Sequence, residues 1–293
     1  MDFGFLLTGL LTGLREGVEA ALIVSIVLAY LARTGNTRHF SRIWLGTALA
    51  IGVSIAVGVT LFLTIGGFEG AAEQIFEGVA MTIAAAAVTW MLFWMRRTSA
   101  NIKGELHAAV DRSLTEGSLF GLTLLAFTAV IREGIETALF LLGQATAAGT
   151  SSSSTLVGAL IGLAVAVVIG YALYRGARVI NLRTFFSWTG VALIFIAAGL
   201  LSHAVHEFVE AGLITVGTSQ AFDISNILPH DPEAGAMGVV GSILRAIFGY
   251  SSTPEWITLL TWAAYVAIVL TMYVRPLRPS RSTTAPEQRA AGA

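Results

Sequence analysis

The sequence predicts an all-α integral membrane protein: seven transmembrane helices, built as two inverted three-helix repeats plus a C-terminal helix. Three observations predict it. Hydrophobic residues make up 55% of the 293-residue chain and charged residues only 12%, about half of the roughly 25% found in soluble domains. Seven stretches reach the roughly 20 mostly apolar residues that cross a bilayer. One charged pattern, rare inside such stretches, occurs once in each half of the chain.

The spans fall at 3–31, 43–65, 72–95, 119–147, 155–174, 185–213 and 256–274. The 31 glycines are spread through them, as expected where small residues let membrane helices approach closely. The N-terminus lacks a basic leader and a small-residue cleavage site, so it reads as a retained first helix rather than a signal peptide. Residues 1–277 are expected to form a single transmembrane transporter domain, with repeat 1 at about 1–97 and repeat 2 at about 115–213. An outer loop at 214–255 and the last helix at 256–274 follow, and 278–293, polar and rich in Ala and Pro, reads as a disordered cytoplasmic tail. The apolar piece of the outer loop, 237–248, is expected at the membrane interface.

Lys and Arg positions set the orientation. Arg33, Arg38 and Arg42 follow the first span; Arg96, Arg97, Lys103 and Arg112 lie between the third and fourth; Arg175, Arg178 and Arg183 lie between the fifth and sixth; Arg275, Arg278, Arg281 and Arg289 follow the seventh. These are fourteen of the 17 basic residues, and all fall on one side. The N-terminus is therefore predicted outside and the C-terminus in the cytoplasm of a multi-pass protein of the cell membrane. The other three are Arg15 and Arg132, inside spans, and Arg245 in the outer loop.

Composition narrows the chemistry. A net charge of −1 gives nucleic acid nothing to bind. The absence of cysteine excludes disulfides, thiolate metal sites and iron–sulfur clusters, so any metal is held by oxygen or imidazole. No G-x-x-x-x-G-K-[ST] loop is present, so transport energy is expected from the membrane potential, a proton gradient or an external redox step. That makes the chain a secondary-type transporter or permease rather than an enzyme.

The repeated pattern is Arg15-Glu16-Gly17-Val18-Glu19 in the first span and Arg132-Glu133-Gly134-Ile135-Glu136 in the fourth. Each arginine lies about a dozen residues into its helix, near the bilayer centre at 1.5 Å per residue. The i, i+3 and i, i+4 spacings place two carboxylates and a guanidinium on nearly one face. Charges at that depth cost at least about 2.5–3.5 kcal/mol each, so they must face one another, water or an ion. Two Arg and four Glu leave two negative charges uncompensated, which a cation would neutralise. Oxygen donors of this kind suit a hard ion such as Fe³⁺. Inverted units with a midplane site are a transporter architecture. As a purely structural cement, an Arg–Glu pair would not need a second carboxylate twice over.

Further polar residues gather toward the outer ends. His203, His206, Glu207 and Glu210 share a face at the end of the sixth span, and Glu69, Glu73 and Glu77 recur every four residues at the start of the third. They form a candidate outer cation route; the plain alternative is a pair of helix ends reaching the polar interface. His39 and His107, on the basic side, read as ordinary loop residues.

The two Arg-Glu-x-x-Glu segments resemble the motifs of the oxidase-dependent iron permeases, the family of the fungal high-affinity iron permease and the bacterial Efe-type permeases. The resemblance runs over about residues 1–277 and includes Arg175-Gly176-Ala177-Arg178-Val179-Ile180-Asn181-Leu182, Val205-His206-Glu207-Phe208-Val209-Glu210-Ala211-Gly212, Phe222-Asp223-Ile224-Ser225, and Gly249-Tyr250 with Pro254. It implies seven helices and iron uptake, with Glu16, Glu19, Glu133 and Glu136 binding the metal and Arg15 and Arg132 completing the motifs. It also implies iron as a transported substrate rather than a permanent cofactor, and a separate extracytoplasmic oxidase or iron-binding protein as partner. The expectation is thus a permease for iron, Fe³⁺ first. The alternatives are another cation (Fe²⁺, Mn²⁺ or Pb²⁺), a membrane haem protein using His203 or His206, or a non-transporting sensor.

Overall fold

No proline occurs before Pro229, so nothing in the first 228 residues removes a backbone donor or places a ring against a helix turn. In the computed structural model, which describes residues 2–65, 70–98, 102–115, 119–149, 152–176 and 181–275, these apolar runs form long unbroken helices. The described residues make nine: α1 Phe3–Arg33, α2 Phe40–Ile65, α3 Ala71–Thr98, α4 Ile102–Thr115, α5 Leu119–Ala148, α6 Ser152–Tyr174, α7 Leu182–Glu210, α8 Ala236–Phe248 and α9 Trp256–Val274. Short 3-10 turns at Thr37–His39 and Pro232–Ala234 precede α2 and α8. The β-structure among the described residues is one isolated bridge, Gln220 to Glu255.

Among the described residues, five segments are long and apolar enough to cross a membrane: Thr37–Leu63, Ala71–Met95, Ser152–Tyr174, Thr184–Glu210 and Trp256–Val274. The two remaining long helices, α1 with 31 residues and α5 with 30, carry the charged motifs. At 1.5 Å per residue each extends about 45 Å. The outward faces are apolar: Leu63 and Ile55 on α2, Leu160 and Val167 on α6, and Trp188 on α7 are all well exposed.

Helix pairing brings the motifs together. α1 and α6 run parallel at backbone contact. A Cβ added at Gly9 or Gly13 would strike the carbonyls of Thr155 or Ala159, and one at Gly158 or Gly162 those of Leu6 or Leu10. The small-xxx-small spacing on both helices is what permits this approach. α2 and α5 are also parallel, with Gly46 against Thr123 and Gly58 facing Ala138. α1 crosses α5 antiparallel: Thr12 meets Gln144, while Leu31 and Leu122 share an apolar cluster at the opposite end. α3 and α7 are antiparallel as well, through Gly78 against Phe208 and Leu92 against Gly190. Their contact, with Phe140 of α5 and Val269 of α9, is the largest apolar core.

The start of α1 is tied down on three sides. The Asp2 carboxylate caps the helix, accepting from Gly4 N at 2.9 Å and Phe5 N at 3.4 Å. It also accepts from Ser242 Oγ of α8 at 2.6 Å, while Asp2 N donates to Ser154 Oγ of α6 at 2.9 Å.

Three local expectations change. His107 is not in a loop but on α4, stacked on Tyr30 with ring centroids 4.1 Å apart, and His39 is buried in the turn before α2. The apolar piece of the outer loop is a full helix, α8, seated by its small residues Gly238, Gly241, Ser242 and Ala246. The sixth span ends as helix at Glu210 rather than 213, where Ala211 caps it and Gly212 takes φ 73°. Glu69, the 177–180 part of the family-like segment and the 278–293 tail lie outside the described residues.

Candidate metal centre and outer cavity

The antiparallel crossing of α1 and α5 sets Arg15-Glu16-Gly17-Val18-Glu19 beside Arg132-Glu133-Gly134-Ile135-Glu136. One carboxylate oxygen from each of Glu16, Glu19 and Glu133 lies within 4.8 Å of the others. Glu136 stands outside that group. All three clustered residues are buried, as is Arg15, only 2% exposed. Helical spacing explains the arginine contacts: Arg15 Nη1 donates to Glu16 Oε1 at 2.5 Å, and Nη2 lies 3.0 Å from Glu19 Oε1 one turn on. Nη2 directs its hydrogen bond to Met91 Sδ of α3 at 2.7 Å.

The second motif is built alike but sits differently. Arg132 bonds Glu133 through Nη2 and through Nε at 3.0 Å, and Nε is 3.7 Å from Glu136 Oε1. Its guanidinium lies 4.1 Å over the Trp94 ring, and the side chain is 36% exposed. One arginine is thus sealed inside and the other reaches the margin of the site.

Glu16 Oε2, Glu133 Oε2 and Glu136 Oε2 are buried without a hydrogen-bond donor, and Glu19 Oε1 has only its ion-pair contact with Arg15 Nη2, which is not aligned as a hydrogen bond. Buried acceptors left so cost about 1–3 kcal/mol each, more when charged. A cation accepted by these oxygens removes that penalty. The donor set is all oxygen, apt for hard and borderline ions.

At the end of the bundle where α1 and α9 start and α7 finishes, histidines and carboxylates interleave. His203 Nε2 is 3.6 Å from Glu207 Oε1, and His206 lies 3.3 Å from Glu210 and 3.2 Å from Glu255. Gln74 Nε2 of α3 donates to Glu210 Oε2 at 3.1 Å. Glu73 and Glu77 stand in the first two turns of α3, on either side of Gln74 in sequence. His203, His206 and Glu255 line a cavity of about 220 Å³ whose wall also includes Thr8, Gln144, His230 and Arg245. Burial and then the Arg245 charge lower the His230 pKa, leaving that ring neutral at pH 7, and its Nδ1 pairs with Ser252 Oγ at 2.7 Å.

Residues 6–275 match the model of the Iron permease FTR1 family. The chain belongs to this family. It is 39% identical over 267 residues to the ferrous iron permease EfeU of Escherichia coli O6:H1, a match covering 90% of this chain and 94% of that protein. It is equally similar, at 39% with the same coverage, to the EfeU of Shigella sonnei. The EfeU of Yersinia pestis is 35% identical over 269 residues, covering 90% and 92%. No solved structure matches. Membership makes the chain one of the iron permeases, and its apolar helices fit that transmembrane role.

Gln144, Thr12, Glu255 and Trp94 are among the residues of these sites that escaped the sequence reading. Gln144 follows Glu133 by 11 residues, three helical turns, and so shares its face; that spacing was a usable signal. Thr12 precedes Glu16 by one turn on the same grounds. Glu255 precedes α9 and reaches the cavity through loop packing, for which the sequence carries no local signal. The same holds for Trp94, which joins the site by tertiary contact.

Proposed function

We propose that this chain carries ferrous iron into the cytoplasm through a midplane centre made by Glu16, Glu19 and Glu133, with Glu136 beside them and Arg15 and Arg132 setting their orientation. The observation that carries this reading is the buried trio of carboxylates with donor-free oxygens at the crossing of α1 and α5. Two guanidiniums and four carboxylates sum to −2, which a divalent ion neutralises. The relatives are named ferrous iron permeases, and this charge argument agrees with them over the hardness argument that pointed to Fe³⁺. A ferric substrate, delivered after external oxidation, stays as the second reading because every donor is oxygen.

Around this centre the proposal takes residues 1–277 as one domain of seven spans, α4 and α8 being non-spanning. Exchanging α1, α2, α3 with α5, α6, α7 maps the α1–α6 contact onto α5–α2, and leaves α1–α5 and α3–α7 in place. That exchange supports two inverted repeats. The N-terminus would face outward and the C-terminus the cytoplasm of the cell membrane. Glu73, Glu77, His203, His206, Glu207 and Glu210, with Glu69 preceding them in sequence, would gather cations at the outer mouth. A separate oxidase or iron-binding protein would supply the iron.

Initial uptake rates in proteoliposomes test the substrate directly. With Fe²⁺ held by ascorbate, Fe³⁺ citrate and Mn²⁺ compared, ferrous iron should enter fastest. Faster ferric uptake would establish the second reading, and equal rates for Mn²⁺ would remove the selectivity for iron.

A further inference from the structure

Between the outer cavity and the carboxylate centre stands one buried amide. Gln144 is 3% exposed, yet it lines the cavity that His203, His206 and Glu255 also line. Its Nε2 donates to Thr12 Oγ1 across the α1–α5 contact at 2.7 Å. With the nitrogen so engaged, the amide oxygen is left over, and Gln144 Oε1 is buried with no donor among the described residues. Thr12 is itself fully buried.

Register extends the line inward. Thr8, Thr12 and Glu16 succeed one another at four-residue intervals on α1, steps of about 6 Å along one face. Thr8 belongs to the cavity wall, and its hydroxyl proton goes to Gly4 O at 3.1 Å, so its oxygen presents lone pairs. Glu16 belongs to the carboxylate trio. The column therefore begins in the cavity and ends in the centre, and the Gln144–Thr12 pair occupies its middle step.

We propose that Gln144 is a substrate ligand on the transport path: its side-chain oxygen replaces water on a divalent cation passing from the outer cavity to Glu16, and Thr12 holds the amide in that orientation. This assignment rests on the permease reading above. The chemistry suits the position. Amide oxygens coordinate divalent cations, and a neutral dipole between a mouth of mixed charge, with Arg245 beside its His and Glu side chains, and an anionic centre attracts an ion without trapping it. Conduction needs that balance, since each step must be favourable enough to enter and weak enough to leave. The alternative role is a staple, a hydrogen bond that merely joins α1 to α5.

Two substitutions in the full-length protein in proteoliposomes separate these roles, read as initial ferrous uptake per folded molecule. Gln144→Met keeps the length and bulk but deletes the oxygen; its apparent KM should rise about tenfold or more, the order of effect seen for tuned metal sites. Gln144→Glu keeps an oxygen and adds charge; its apparent KM should fall together with its maximal rate, because the ion is held. The second variant decides alone if the first does not accumulate. An unchanged KM in Gln144→Glu, or lowered thermal stability with wild-type uptake per molecule, makes the residue a staple and overturns the proposal. Failure of the unsubstituted protein to move ferrous iron would end the ferrous reading above and this role together, whereas normal wild-type uptake with indifferent variants ends this role only.

Discussion

At the scale of single residues, the motif glutamates and arginines are not equivalent, and the differences are testable. Glu16, Glu19 and Glu133 share a 4.8 Å neighbourhood that Glu136 does not enter. Changing one of them to Gln preserves size and hydrogen bonding while removing charge and an anionic ligand. Each of the three Gln variants should insert normally and lose uptake by a factor of about 10–100, the scale on which a metal site responds to such changes. Glu136→Gln should lose less. The arginines should differ in the same sense, since Arg15 is sealed against Glu16 and Glu19 while Arg132 is 36% exposed. A lysine in place of Arg15 keeps the charge but cannot satisfy two carboxylates and Met91 with one fork, so Arg15→Lys should impair uptake more than Arg132→Lys. Uptake per folded molecule is the measure that matters. Wild-type rates in both Glu16→Gln and Glu19→Gln would remove these side chains from the transport site.

At the scale of helices, stability rests on close approach rather than on large side chains. The α1–α6 seam places Gly9 and Gly13 against the backbone of α6, and Gly158 and Gly162 against the backbone of α1. Backbone cannot yield as a flexible side chain can. Gly13→Leu or Gly158→Leu should therefore cost about 1–3 kcal/mol or more, seen as a lower melting temperature in detergent and reduced accumulation. Gly52, with nothing within 4 Å of an added Cβ, should tolerate Ala with little change. The long helices were legible in the sequence because apolar runs without proline leave the backbone no other way to satisfy itself in lipid. The motif carboxylates were legible because charge in such runs is rare. α4 escaped because it is short and polar on one face, and its place depends on tertiary contacts such as Tyr30 Oη to Asp111 at 2.6 Å. Gln144 escaped because one neutral amide in an apolar helix is unremarkable until a cavity and Thr12 are placed beside it.

At the scale of the whole molecule, charge separates along the bundle. Arg33, Arg38, Arg42, Arg112, Arg175 and Arg275 lie near one set of helix ends, and Glu73, Glu77, Glu207, Glu210 and Glu255 near the other. In a membrane whose interior is electrically negative, each elementary charge moved inward gains about 2.3 kcal/mol per 100 mV, twice that for a divalent ion. Acidic groups on the outer side and basic ones within fit inward cation movement, provided the N-terminus faces out. The chain has no cysteine, so single introduced thiols report orientation without background. Ser153 and Ser41 are exposed at opposite ends of the bundle, and Ser→Cys changes one atom in each. With intact cells or right-side-out vesicles, a membrane-impermeant maleimide should label Ser153→Cys at once, and Ser41→Cys only after permeabilisation. The reverse pattern would put the arginine-rich end outside, and the acidic mouth would then serve as an exit. Labelling of both thiols without permeabilisation would leave an even number of crossings between them, so that α2, α3 and α5 could not all span the membrane, and the seven-span arrangement would fall.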